Sequence, residues 1–291
     1  MFKSSKILLV GRFGQVSWEL QRTLAPLGEV VALDYPEIDL TDSEGLRKIV
    51  REVKPTVIVN AAAYTAVDKA ETDLEKCRAI NATGPAVLAE EAAKLGARMI
   101  HYSTDYVYPG DGEALWTEDS PTGPLNAYGQ TKLEGDLAIA AALPNDHLIF
   151  RVSWVYGARG GNFLLTMLRL AREREALSII DDQIGSPTSS RMIAEATALA
   201  LARWTTQSGV YHMPQAGFVS WHGFAKSIFE HDPKKSEQVL KELKAIGTEA
   251  YPTPAARPRN SRMSGAKLQR DFGLALPHWE DSLKQVIETL G

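Results

Sequence analysis

Tyr128 and Lys132 stand four residues apart near the start of an expected helix, so both side chains reach one face. An ammonium beside a phenol stabilises the phenolate and lowers the tyrosine pKa. Such a tyrosine can give a proton to a carbonyl oxygen as hydride arrives at the carbon, while the lysine holds the ribose of a nicotinamide cofactor. Ser103-Thr104-Asp105 closes an expected strand upstream, and Thr104 offers that oxygen a further hydrogen bond. A surface tyrosine lying on a lysine stem is the plain alternative. The order of the motifs, behind a glycine turn, argues against it.

That turn is Gly11-Arg12-Phe13-Gly14, between the apolar run Ile7-Leu8-Leu9-Val10 and an expected helix through Gln15 and Val16. Gly11 permits the tight turn, Gly14 lets backbone approach a pyrophosphate, and the helix N-terminus favours an anion. Where a third glycine is expected stands Ser17, whose Cβ and hydroxyl would loosen the helix–strand contact. Asp34 ends the second strand and can accept from adenosine ribose hydroxyls, which favours NADH; Arg12 could offset a 2′-phosphate, so NADH and NADPH both stay open. As a plain strand-end charge, Asp34 would need no ligand. Asp39 offers an acceptor and Leu40 an apolar surface beside the adenine. Asn60-Ala61-Ala62-Ala63-Tyr64-Thr65 follows the third strand, and its alanines leave room for a cofactor or simply pack tightly.

These residues need a scaffold. Non-alternating apolar runs predict buried strands over 6–10, 30–33, 56–59, 98–102 and 147–152. Helices are expected over 16–25, 45–53, 69–80 (continuing to 95 after a break at Gly84-Pro85) and 128–142. Strand–helix alternation implies an α/β fold: a Rossmann-like, doubly wound parallel sheet over 1–153. Residues 154–291 should build mainly a smaller C-terminal substrate-binding lobe, some segments returning to the first domain. There, helices are expected over 163–175, 190–205, 221–231, 236–246 and 279–290, strands over 177–180 and 210–213, and irregular chain over 252–258.

Composition narrows the partners. The chain has 291 residues, 44% hydrophobic and 23% charged, with a formal net charge of -4. No sustained basic run is present, which disfavours nucleic acid. No stretch approaches the roughly 18 apolar residues of a membrane span, and Met1 to Ser5 are too few for a signal peptide. Cys77 is the lone cysteine, which excludes an internal disulfide and fits a reducing, cytoplasmic setting. His101 and His147 read as packing residues in strands. No cluster calls for a catalytic metal.

The chain resembles the dTDP-4-dehydrorhamnose reductase family, an extended branch of the short-chain dehydrogenase/reductase superfamily. The resemblance runs almost end to end. It rests on the glycine turn with Gln15, the block from Val59 to Glu71, and His101-Tyr102-Ser103-Thr104-Asp105-Tyr106-Val107-Tyr108. Pro124 to Lys132, Arg151 to Tyr156 and Arg257-Pro258-Arg259-Asn260-Ser261 add to it. The tyrosine–lysine pair marks only the superfamily; the two long blocks are far more specific.

The resemblance implies reduction of the C4 ketone of a dTDP-linked 4-keto sugar by NADH or NADPH. It makes Tyr128 the proton donor, Lys132 its tuning and cofactor-holding partner, and Thr104 the further hydrogen-bonding group. Thr104, Asp105, Tyr128 and Trp154 would contact the sugar. Gly14, Gln15, Val16, Asp34, Asp39, Leu40, Ala63, Tyr64, Thr65 and Tyr102 would line the cofactor site, with Gly11, Arg12, Phe13, Ala61 and Ala62 completing it. Asn162 and Phe163 could meet the nucleotide, and Arg257 could fork onto its diphosphate, although a solvated loop charge is nearly as good a reading of Arg257. Trp154 could equally be a core aromatic. A homodimer is compatible with the family. Arg191 occupies a region where some members carry an acidic residue linked to magnesium, and arginine cannot ligate it, so magnesium is not required. A nucleotide-sugar epimerase or dehydratase, or a non-catalytic dinucleotide-binding subunit, are the alternatives. Tyr106 in place of a second carboxylate argues against the dehydratase.

Overall fold

The computed structural model describes residues 5–290; Met1 to Ser4, most of the segment read above as too short for a leader, and Gly291 lie outside them. The first half alternates as the apolar runs require. Strand β1 (Ser5–Val10) leads through the glycine turn to α1 (Gln15–Leu24), then β2 (Gly28–Leu33), α2 (Ser43–Val53) and β3 (Val57–Asn60). Helix α3 (Gly84–Leu95), β4 (Arg98–Thr104), α4 (Ala127–Ala142) and β5 (His147–Val152) follow. Beyond them come α5 (Phe163–Glu173), β6 (Ala176–Ile180), α6 (Ser190–Arg203), β7 (Gly209–His212) and α7 (Trp221–His231). The chain closes with β8 (Glu242–Ile246), α8 (Ala266–Phe272) and α9 (Trp279–Glu288).

The main sheet runs β7-β5-β4-β3-β1-β2, and every pairing in it is parallel. The chain leaves β1 for β2 on one side and returns to β3 on the other. The strand ends therefore open a crevice between β1 and β3, the place where such sheets bind ligands. Alternate residues face opposite layers. Ile7, Leu9, Val59, Ile100, Tyr102 and Phe150 pack with Leu20 of α1 and Ile193 of α6. Leu8, Val10, Ile58, Met99 and Ile149 pack with Leu46, Val50, Val87, Leu88 and Ile139 of α2 to α4. A separate core, built on Leu164, Met167, Phe224, Ile228, Trp279 and Leu283, holds α5, α7 and α9 together. Residues late in the chain also serve the large sheet: β7 is its edge strand and α6 lies against α1.

Two expectations fail for identifiable reasons. Gly84-Pro85 does not break the chain. A π-helical turn, Ala79–Thr83, links the short helix Leu74–Arg78 to α3, and Pro85 sits in the first turn where its missing N–H costs nothing. The segment 236–246 is no helix. Leu240, Leu243 and Ile246 mimic a helical stripe, but Glu242–Ile246 pairs in parallel with Ala176–Ile180, Leu243 beside Leu177, and strand pairing overrides local pattern.

Helix α4 presses against its neighbours through glycines. A Cβ at Gly129 would run into Tyr106 O, and one at Gly135 into Asn81 O of the π turn. Gly135→Ala should therefore destabilise the protein by about 1–3 kcal/mol, although alanine is the better helix former. Urea denaturation measures this, and a stabilised variant would overturn the close-contact reading.

Candidate active site

Residues from three neighbouring elements converge on the Tyr128 ring. Asn126 caps α4, its Oδ1 accepting from Gly129 N at 2.8 Å while its Nδ2 donates to Ala256 O at 2.7 Å. Tyr128, half-buried, follows at once and meets Tyr106 edge to face, with ring centroids 5.6 Å apart. Thr104 ends β4 beside the Tyr128 hydroxyl. Thr104 Oγ1 also donates to Asp105 Oδ1 at 3.1 Å, and Ser261 Oγ donates to Asp105 Oδ2 at 2.5 Å. Ser261 arrives from far along the chain. Nothing local in the sequence connects it with Asp105.

Lys132 is buried one turn along α4. Its Nζ donates to Tyr102 O at 2.6 Å and lies 2.9 Å from His101 Nε2. His101 is thus more than the packing residue expected. Tyr102 contributes its backbone here; its phenol points into the opposite layer, 2.8 Å from Thr197 Oγ1. The spacing predicts a Tyr128 pKa lowered by Lys132, whereas the phenol is shifted upward. Burial pushes the phenol above its ordinary value. Burial pushes Lys132 down to about 8.

Behind the pair lies a buried polar lattice. Asp136 Oδ2 accepts from Ser103 Oγ at 2.8 Å and from Arg151 Nε and Nη2 at 3.3 Å each. Arg151 Nη1 donates to Tyr108 Oη at 2.7 Å, and that hydroxyl lies 2.6 Å from His212 Nε2.

The glycine turn borders a cleft of ≈ 400 Å³ at the β1/β3 crevice. Gly11, Asp34, Asp39, Leu40, Ala62 and Ala63 line it, joined by Tyr35, Ile38, Thr41, Lys76 and Ile80. These last five carry no motif; only the course of the chain brings them here. Asp34 accepts from Phe13 N at 2.9 Å and Tyr35 N at 2.8 Å, so it braces the turn. Asp39 Oδ1 accepts from Thr41 N and Oγ1, both at 2.8 Å. Arg12 pairs with Glu37 at 2.7 Å and covers the exposed Phe13 ring at 4.6 Å. Val16 packs inward with the α1 face. Ala61 follows β3, its N–H donating to Val10 O at 3.1 Å. Tyr64 is held by Asn81, which accepts from its N–H at 2.9 Å, and Thr65 is exposed.

The second lobe supplies an aromatic wall. Trp154 sits two residues past Val152, which pairs with Thr104, and its φ of 48° is unusual for a bulky side chain. Its ring stacks on Trp221 at 3.6 Å, and Phe163 leans on Trp221 at 4.6 Å. Asn162 caps α5 through Leu165 N and donates to Gln15 Oε1 at 3.0 Å, joining the second lobe to the glycine-turn helix. Arg257 does not project freely. Its fork grips Asp68 at 2.9 and 2.7 Å and holds that carboxyl below its usual range. Among the described residues no group of three or more His, Cys, Asp or Glu is arranged to hold a metal.

The model of the family described as "RmlD substrate binding domain" matches residues 5–291. A dTDP-4-dehydrorhamnose reductase of Salmonella typhimurium (strain LT2) is 47% identical over 289 residues, 97% of this chain and 96% of that protein. A crystal structure of a dTDP-4-dehydrorhamnose reductase from Clostridium acetobutylicum superposes with a TM-score of 0.92 at 36% identity, covering 98% and 99% of the two chains. The dTDP-4-dehydrorhamnose reductase of Bacillus anthracis, solved in complex with NADP, gives 0.91 at 32% identity with the same coverage.

Burial pushes the Asp105 carboxyl up to about 6. A folded-state value above the unfolded one stabilises the chain at low pH, and that contribution fades as pH rises toward about 6. Asp105→Asn removes this dependence. Between about pH 4 and pH 7, urea denaturation should show the variant gaining on the parent by roughly 2 kcal/mol, and parallel profiles would refute it.

Proposed function

The chain belongs to the family described as RmlD substrate binding domain, and from that premise we infer that it reduces the C4 ketone of dTDP-4-dehydro-L-rhamnose to dTDP-L-rhamnose. It is an oxidoreductase dependent on a reduced nicotinamide cofactor, placed in the synthesis of activated rhamnose for polysaccharides. The observation that carries the reading is the meeting of Thr104 and Tyr128 at the end of β4, on a chain that matches reductases over nearly its full length.

The residues present fit a dinucleotide. Gly11 has φ +98, and a Cβ there would meet Ala62 N at 2.9 Å, so the turn keeps a bare backbone beside the crevice. The N–H groups at the start of α1 favour an anion. Ser17 Oγ is buried beside Gly14 without a protein partner and is left to bond a ligand or water. Gly11 to Val16 would cradle the pyrophosphate; Asp34, Asp39 and Leu40 the adenosine; Ala61 to Thr65 and the Tyr102 backbone the remainder, with Lys132 on the ribose. The bound cofactor supplies the hydride.

In this reading the chain's own groups do the rest. Tyr128 donates its proton to the ketone oxygen, and its raised pKa keeps that proton in place until charge develops there. Thr104 adds a second hydrogen bond to the same oxygen by turning its one hydroxyl proton away from Asp105 Oδ1. Asp105, tied to Thr104 and Ser261, fixes the hydroxyl and borders the sugar. Trp154, on its Trp221 backing, offers the sugar a flat apolar face. Asn162 and Phe163 stand at the nucleotide end, and Arg257 would share its fork between Asp68 and the diphosphate. NADH and NADPH are both accepted in this reading. Asp34 opposes a 2′-phosphate, Arg12 attracts it, and Glu37 tempers Arg12. A cytoplasmic setting and a homodimer belong to the same proposal, with no step that needs magnesium; no helix of the described residues is long and apolar enough to cross a membrane.

The test is consumption of NADH and NADPH, separately, with the keto sugar generated in place. Substrate-dependent oxidation with dTDP-L-rhamnose as product supports the reading; binding of cofactor without net oxidation points to an epimerase or a binding role. Tyr128→Phe should lower kcat at least about 100-fold while the Kd for reduced cofactor stays within a few-fold. An unchanged kcat would remove Tyr128 from the proton-donor role.

A further inference from the structure

Asn60, His101 and Lys132 form a fully buried line from the end of β3 to the face of α4. The direction of its hydrogen bonds follows from one fixed donor. Ala62 N can only donate, and it donates to Asn60 Oδ1 at 3.2 Å. The amide is thereby oriented with its NH2 toward His101 Nδ1, 3.1 Å away. Nδ1 must accept, so a neutral His101 carries its proton on Nε2. Nε2 faces Lys132 Nζ at 2.9 Å. An ammonium has three donors and no lone pair; only an amine can accept that N–H. The same nitrogen still has hydrogen to give Tyr102 O at 2.6 Å.

We propose that His101 is a positioning residue whose Nε2–H, offered to Lys132 Nζ, favours the neutral amine, so that cofactor binding is coupled to proton uptake by the lysine. The balance is simple: the amine takes one proton from solvent and becomes an ammonium, and no other bond changes. The ammonium then has no lone pair for His101 and turns toward the partners the cofactor brings. This deepens the reading of Lys132 as the ribose-holding residue and rests on it.

The surroundings agree. Burial keeps His101 well below its ordinary value, hence neutral, and moves Lys132 in the same direction. From α4 itself, Tyr128 is an un-ionised phenol, and Asp136 opposes the amine: its Oδ2 is engaged by Ser103 and Arg151, its Oδ1 is buried without a partner, and burial of Lys132 outweighs it. From the short helix Leu74–Arg78, Cys77 is a thiol raised by burial and bonded with Thr131.

Long-range 1H–15N correlation spectra of the cofactor-free protein read the tautomer directly. His101 can be assigned among the six histidines by its loss in His101→Gln. The expected result at about pH 9, above the Lys132 value of about 8, is a neutral ring with its proton on Nε2 and a bare Nδ1. A proton on Nδ1, or an imidazolium, overturns the proposal whatever the enzyme does. A second measurement is calorimetric titration with NADH at about pH 8.5 in two buffers of different ionisation enthalpy. Binding should take up roughly half a proton or more, and binding without uptake overturns the coupling. His101→Gln keeps an acceptor for Asn60 and a donor for Lys132, and should retain the uptake that His101→Phe loses. Should NADH not bind at all, the cofactor reading fails, while the tautomer stands or falls on the spectra alone.

Discussion

Bare backbone contact sets the geometry of this molecule. Gly129 lets the first turn of α4 rest on Tyr106 O, and Gly135 lets its middle rest on Asn81 O. Gly11 does the same for the turn after β1 against Ala62. With no side chain between them, these segments cannot slide without collision. Tyr128 and Lys132 therefore take their positions from α4 as a rigid body, and Thr104 takes its position from β4. Precision in the site comes from steric exclusion first and from hydrogen bonds second.

The second layer of control is polar and buried. Asp136, Arg151, Ser103, Tyr108 and His212 tie β4, β5, β7 and α4 together beneath the site. Burying such groups is costly unless each is paired, and the exchange it offers is a fixed arrangement. The lattice engages Asp136 through Oδ2 alone, and Lys132 takes its hydrogen-bond contacts from His101 and the Tyr102 carbonyl. Asp105, closed in by Thr104 and Ser261, is a smaller instance of the same rule.

How much of this could be read in advance depended on the range of the interactions. The parallel sheet was legible because β1, β3 and β5 each carry a non-alternating apolar run and the glycine turn follows β1 directly. Tyr128, Lys132 and Thr104 were legible because one helical turn and one strand end fix their relation. Lys76, Tyr35, Ser261 and Trp221 were not, since each reaches its neighbours through the fold rather than through spacing. Arg257 shows the same limit: its number said nothing of Asp68. The strand Glu242–Ile246 was hidden because a period of three reads as helix until Ala176–Ile180 is there to pair with it. His101 looks like a packing residue in the sequence because its partner, Lys132, lies on another element.

The late return of the chain to its first sheet has a consequence for how the protein is made. Strand β5 gains its outer neighbour only with Gly209–His212, and the face bearing Phe150 and Ile100 is closed by Ile193 and Ala194 of α6. During vectorial synthesis the nucleotide-binding half leaves the ribosome with an open strand edge and an uncovered apolar face. It must wait for roughly fifty more residues, a few seconds at ordinary elongation rates, before either is shielded. A nascent chain of this design is at risk of edge-to-edge association in that interval, and it cannot be divided after β5 into two parts that each keep a finished surface.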